Sequence, residues 1–140
     1  MERINLKLWT SYITPESFNE FILKNILPIF IARNISNSGL IGSWQDTSVH
    51  FPELAPRPDL LRFWKYQGMS TEEFDKLFTE DLKKVDIFKI LEKINMMCGI
   101  CNSKGAVLLG YGEDPMKDHR HTVMNYINSL GILFSNITEL

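Results

Sequence analysis

Two uninterrupted apolar runs, Ile29-Phe30-Ile31-Ala32 and Ala106-Val107-Leu108-Leu109, constrain this chain more than any other feature of it. Four apolar residues in a row, bounded by breakers, leave no polar face to turn to water. Such a run suits a strand buried on both sides, as in a parallel sheet covered by helices. The residues between the runs supply those helices. Thr14-Pro15-Glu16 reads as a helix start, with Thr14 as cap, Pro15 in the first turn and Glu16 at the positive end of the dipole. Phe18, Phe21, Ile22 and Ile26 follow as one apolar stripe, and Pro28 is expected to stop it.

Further helices follow the same logic. One is expected from Pro58 to Gly68, with Leu60, Leu61, Phe63 and Trp64 contributing core. Ser70 with Glu73 forms a capping-box pattern ahead of Phe74, Leu77, Phe78 and Leu82. Asp86 can cap the next, which turns Ile87, Ile90, Leu91, Ile94 and Cys98 inward and is expected to end at Gly99. Gly110 to Pro115 breaks the second apolar run. A last helix covers roughly 119–130, with Val123, Tyr126, Ile127 and Leu130 inward and Gly131 closing it. Ile4 to Trp9 alternates and reads as a strand, and Ile132-Leu133-Phe134 reads as a final one. The order is β-α-β, a helical middle, then β-α-β. It predicts an α/β fold: a mostly parallel sheet with helices on both faces, in a single Rossmann-like domain spanning 1–140.

Composition narrows the class. With 140 residues, 44% hydrophobic and 23% charged, the chain suits one core and is not of disordered type. A net charge of -2 exerts no global pull on nucleic acid or an anionic membrane. Phe18 to Ala32 is interrupted by Asn19, Glu20, Lys24, Asn25 and Pro28 and cannot span a bilayer. The residues Met1 to Asn5 carry no signal-peptide pattern. Two cysteines are too few for a disulfide scaffold, so a soluble, cytoplasmic protein is expected. No cofactor motif is present.

The motifs differ in weight. Cys98-Gly99-Ile100-Cys101 matches a redox spacing, but it closes a helix instead of opening one, and Cys98 lies on an apolar stripe; a structural role is expected. Arg57, Arg62, Trp64, Lys65 and Tyr66 interleave basic and aromatic residues, a pattern seen in single-strand stacking. The plainer reading is helix core with solvated cations. Asn34 to Arg57 is a long Asn-, Ser-, Gly- and Pro-rich loop with room for a short strand at Leu40-Ile41. It also offers Trp44 and Phe51 to a protein partner.

The junction Gly110 to His121 is the strongest address for function. Ligands of open parallel sheets bind beyond the carboxyl ends of the strands, and a helix N-terminus there favours anions. The junction holds Tyr111, Glu113, Asp114, Lys117, Asp118, His119, Arg120 and His121. Their spacing from Val123 turns His119 and Arg120 toward the strand ends. His121 is expected to face solvent. His119 and Arg120 can grip a phosphate or carboxylate. Alternatively, His119 can serve as acid or base beside Glu113 or Asp114. In the plain reading, Asp118 caps the helix and pairs with Arg120 or Lys117. His119 and His121 stand two apart on a helix and diverge, so no metal is expected. Arg33 follows the first apolar run and can converge on Arg120 from another strand end.

Leu8-Trp9-Thr10-Ser11-Tyr12 with Glu16, Phe18 and Phe21, then Glu53-Leu54-Ala55-Pro56 with Leu60, Leu61 and Trp64, then Phe74 to Leu82, and finally Leu108, Leu109, Tyr111, Glu113, His119 and Arg120 form a spaced set. By these residues the chain resembles the domain-of-unknown-function family numbered 488. The resemblance implies an α/β fold. It implies no mechanism, since that family lends no established activity. It carries over to Tyr111, Glu113, His119 and Arg120, and to Arg33 less directly. The family often has cysteine where this chain has Gly110 and Asp118. Three functions are therefore carried forward: an anion binder using Arg120, His119, Arg33 and Tyr111; a small hydrolase-like enzyme using His119 with Glu113 or Asp114; and an interaction module using loop 34–57.

Overall fold

In the computed structural model, which describes residues 3–32, 49–112 and 117–140, five strands form one all-parallel sheet. They are β1 (Leu8–Tyr12), β2 (Ile26–Phe30), β3 (Val49–His50), β4 (Gly105–Gly110) and β5 (Thr138–Glu139). Their order is β3-β2-β4-β1-β5. Five α-helices join them among the described residues: α1 (Pro15–Leu23), α2 (Pro58–Tyr66), α3 (Thr71–Leu82), α4 (Ile87–Cys101) and α5 (Arg120–Leu130). The expected α/β fold, with helices on both faces and a helical middle, is the one observed.

Why the helices divide between two faces follows from strand order. The connection from β1 to β2 crosses β4 in one direction. Those from β3 to β4 and from β4 to β5 run in the other. Right-handed crossovers then put α1 on one face and α2 to α5 on the opposite one. The pleat shows this. Leu27, Ile29, Ala106 and Leu108 face the large core with Phe74, Phe78, Leu91, Ile94, Val123 and Ile127. Ile26, Phe30, Val107 and Leu109 face Phe21 of α1, with Trp9 and Ile13 against them.

Several boundaries differ from those the sequence predicts, each for a local reason. Helix α1 ends at Leu23, not at Pro28, because Asn25 takes a left-handed conformation (φ 62). Its side chain donates to the Asn102 carbonyl at 2.6 Å. Ile22 is consequently exposed, and Ile26 belongs to β2. The strand expected at 29–32 therefore starts earlier and contains Pro28. Ile31 N–H donates to Leu109 O, so alternate N–H groups of β2 face β4. The nitrogen of Pro28 faces the other side, where, among the described residues, β3 begins only opposite Ile29.

Helix α4 runs through Gly99 to Cys101 and ends at Asn102, also left-handed (φ 55). Ser103 N–H returns to the Cys98 carbonyl at 2.8 Å, a Schellman-type closure that Asn satisfies as well as Gly. The alternating segment 4–9 enters the sheet late: β1 is 8–12, and Ile4 makes only an isolated bridge to Leu133. The strand expected at Ile132 to Phe134 is reduced to that bridge, and β5 lies further on at Thr138–Glu139. Leu130, expected inward, is exposed, as is Phe63 of α2. Within the expected loop 34–57, the described part holds β3 and a single 3-10 turn at Pro52–Leu54, with Phe51 buried. Leu40, Ile41 and Trp44 lie outside the described residues.

Candidate functional site

Strand β1 sends its following helix to one face of the sheet, and its neighbour β4 sends its own to the other. The carboxyl ends of these two strands therefore bound the switch point, where open α/β sheets have their crevice. Tyr12 and Gly110 are paired there, and Ile13 N–H donates to the Gly110 carbonyl. On the β1 side the amino end of α1 is closed upon itself. Thr14 Oγ1 accepts from Ser17 N–H and Ser17 Oγ from Thr14 N–H, a reciprocal cap.

The β4 side is built differently. Asp118, His119, Arg120, His121 and Thr122 are five consecutive polar residues, and all five are buried. Arg120 is wholly so, and it crosses the switch point. Its Nε and Nη2 donate to the Glu139 carboxylate on β5, Nη2 to Oε2 at 2.8 Å. Its Nη1 donates to Asp118 Oδ2 at 2.7 Å and to the Gly112 carbonyl. The guanidinium also lies 5.8 Å from the centre of the Tyr12 ring. Thr10, itself fully buried on β1, donates to Glu139 Oε1 at 2.6 Å.

His119 turns toward the end of β2. Its Nε2 lies 2.9 Å from the Ile31 carbonyl, and its Nδ1 is 3.3 Å from Asp118 Oδ1. Phe78 of α3 meets the ring edge-on, with centroids 6.0 Å apart. Both nitrogens thus face oxygen acceptors. Burial alone would push the Asp118 carboxyl up, but the hydrogen bonds and charges of His119 and Arg120 outweigh it and hold the group below the ordinary carboxylate range. Burial likewise opposes the charge on Arg120. Glu139 and Asp118 overcome it and raise its pKa.

This packing explains Gly110. A Cβ there would stand 1.9 Å from Asp118 Oδ2, so only glycine leaves room for the carboxylate. Gly110 and Asp118 are thus in direct contact. A small residue at one accommodates a charged residue at the other.

The expected site residues separate clearly. His119 and Arg120 are inward, as their helical spacing predicts. His121 is not solvated: its Nδ1 lies 2.7 Å from the Asp118 carbonyl, and its Nε2 meets the Asp75 carboxylate of α3. Thr122 Oγ1 donates to the same carboxylate at 2.5 Å. Helix packing overrides the helical-wheel argument here, because α3 lies across the face that His121 presents. Asp118 pairs with Arg120 as the plain reading has it, but without capping α5, whose N-cap residue is His119. Tyr111 is exposed just beyond β4. Arg33, Glu113 and Asp114 lie outside the described residues.

Sequence reasoning missed Glu139, Asp75 and Thr10. Glu139 and Asp75 stand far along the chain from their partners, and no short motif ties them together. Among the described residues, no group of three or more His, Cys, Asp or Glu is placed to hold a metal ion. No helix there is long and apolar enough to cross a membrane. Cys98 is buried and Cys101 exposed, both as free thiols. Burial, and to a lesser extent Cys101, pushes the Cys98 thiol up to about 11, which leaves it unreactive near neutrality. Compared with protein-family models, curated proteins and solved structures, the chain matches none.

Proposed function

We propose that this domain, of the family-488 type, binds a small anionic ligand, phosphorylated or nucleotide-like, at the carboxyl ends of β1 and β4. Arg120 anchors the ligand, and Glu139 holds its place in the free protein. One observation carries this reading. The Arg120 guanidinium is engaged through Nε and Nη2 by a carboxylate, the two-pronged contact that guanidinium makes with a carboxylate or phosphate ligand. That carboxylate stands on a two-residue outer strand, and its side chain is one-third exposed. A phosphate exchanging with Glu139 replaces one charge-assisted contact by another, so the guanidinium is never left bare. The two free thiols fit a reducing, cytoplasmic setting.

Thermal-shift titration with phosphorylated metabolites and nucleotides tests this. A ligand at about a hundred times its Kd adds roughly 2.7 kcal/mol to the folded state. Glu139→Gln weakens the competitor and is expected to enlarge the shift, whereas Arg120→Lys keeps the charge, loses the fork and is expected to abolish it. A shift that Arg120→Lys leaves intact would remove Arg120 from the ligand's path.

A second reading, a small hydrolase, is favoured by the Asp118–His119 pair, in which a buried carboxylate orients an imidazole. In that reading His119 acts as acid or base, with Glu113 or Asp114 assisting, once its Nε2 leaves the Ile31 carbonyl.

A further inference from the structure

A groove of about 340 Å³ opens on the helical layer, lined by Trp64, Lys65 and Tyr66 at the end of α2, Thr71 at the start of α3, and Lys117. None of these side chains bonds to the Arg120 cluster. The volume falls within the roughly 300–1,000 Å³ typical of small-molecule sites.

We propose that this groove binds a planar aromatic anion of the nucleoside monophosphate class, its ring against Trp64 and Tyr66 and its phosphate between Lys65 and Lys117. The indole of Trp64 is fixed in advance. It stacks on Phe74 with centroids 3.9 Å apart and planes 14° from parallel, and its Nε1 donates to Thr71 Oγ1 at 3.2 Å. A ring so held loses little freedom when a ligand packs on it. Tyr66 is the opposite case: 82% exposed, an aromatic surface left in water beside the fixed one.

The cations complete the chemistry. Lys65 Nζ lies 5.9 Å from the Trp64 ring centroid, and Lys117 approaches from the segment that leads into α5. Among the described residues neither ammonium has a carboxylate partner, whereas Arg57, Lys83 and Lys84 on the same layer each have one. Glu72 and Glu73, which follow Thr71, do not line the groove. Two ammonium groups with no carboxylate partner among the described residues, beside two aromatic rings, select for a ligand with both a π-face and a negative charge.

Calorimetric titration with adenosine monophosphate, adenosine and inorganic phosphate separates the contributions. The nucleotide is expected to bind about tenfold or more tightly than either fragment. Tyr66→Ala and Lys117→Ala, both at exposed positions, are each expected to weaken it by about fivefold or more. Phosphate binding as tightly as the nucleotide would reduce the groove to a pair of lysines and overturn the proposal. Nucleotide binding lost in Arg120→Lys but untouched by Tyr66→Ala would also overturn it, while sparing the reading based on Arg120.

Discussion

Two buried regions lie side by side in this molecule and are held by different physics. Around Phe74, Phe78, Leu91 and Ile94 the interior is apolar, and its cohesion is a sum of many small, non-directional contacts. At the amino end of α5 the interior is Asp118, His119, Arg120, His121 and Thr122, equally hidden from water. There, among the described residues, no buried side-chain nitrogen or oxygen lacks a partner. The first region tolerates a change of shape if volume is kept. The second tolerates less, because removing Asp118 or Arg120 takes away a charged partner that the buried groups around it share.

The sharpest way to break this comparison is a pair of methionine substitutions. Arg120→Met is expected to cost about 3–5 kcal/mol, since it removes the guanidinium that Asp118 and Glu139 share. Leu91→Met, buried equally well, is expected to cost about 1 kcal/mol or less. Urea unfolding of both variants measures the gap, and equal midpoints would erase the distinction.

Next in size is Asp118→Asn, expected to cost about 3 kcal/mol at pH 7 through the loss of charge-assisted bonds. Its pH dependence gives the sign. Because the folded group sits below the ordinary carboxylate range, its contribution is complete above about pH 4 and disappears as the pH falls through the folded value. Wild type and variant are therefore expected to converge in acid. A gap that persists unchanged to low pH would assign the effect to packing.

Gly110→Ala tests the close contact, with an expected cost of about 2 kcal/mol. In an Asp118→Ala background the same change is expected to be nearly neutral, a coupling of at least about 1 kcal/mol. Strict additivity would mean that the carboxylate does not occupy the space. The smallest effect concerns the thiols: a maleimide reagent near neutral pH is expected to label Cys101 quickly and Cys98 only on unfolding, as read by mass spectrometry.

The two regions also differed in how far the sequence disclosed them. The apolar interior was legible almost residue by residue, because hydrophobic periodicity is a local signal: Ile90, Leu91, Ile94 and Cys98 are inward as expected. Boundaries were less so. Asn25 and Asn102 end helices where Pro28 and Gly99 drew attention, since asparagine adopts the left-handed conformation without announcing it. In the polar cluster, the inward pair His119 and Arg120 followed from helical spacing. Their partners did not. That Asp75 covers His121, and that Glu139 reaches Arg120, depend on packing between elements that no window of sequence contains.

The register of the sheet has a consequence for how the chain comes into being. Leu8 pairs with Ala106, and Thr10 donates to Glu139, 129 positions away. At roughly 5–20 residues per second, β1 emerges from the ribosome several seconds before the strand that flanks it, and longer before the carboxylate that neutralises Arg120. Contacts this distant along the chain slow folding, because loop closure precedes any reward. Through that interval Leu6 and Leu8 have no sheet to join, and the helices from α2 to α4, rich in local contacts, are the parts able to organise first. The segment that carries β1, α1 and β2 is thus expected to stay without its sheet partner until β4 has been made.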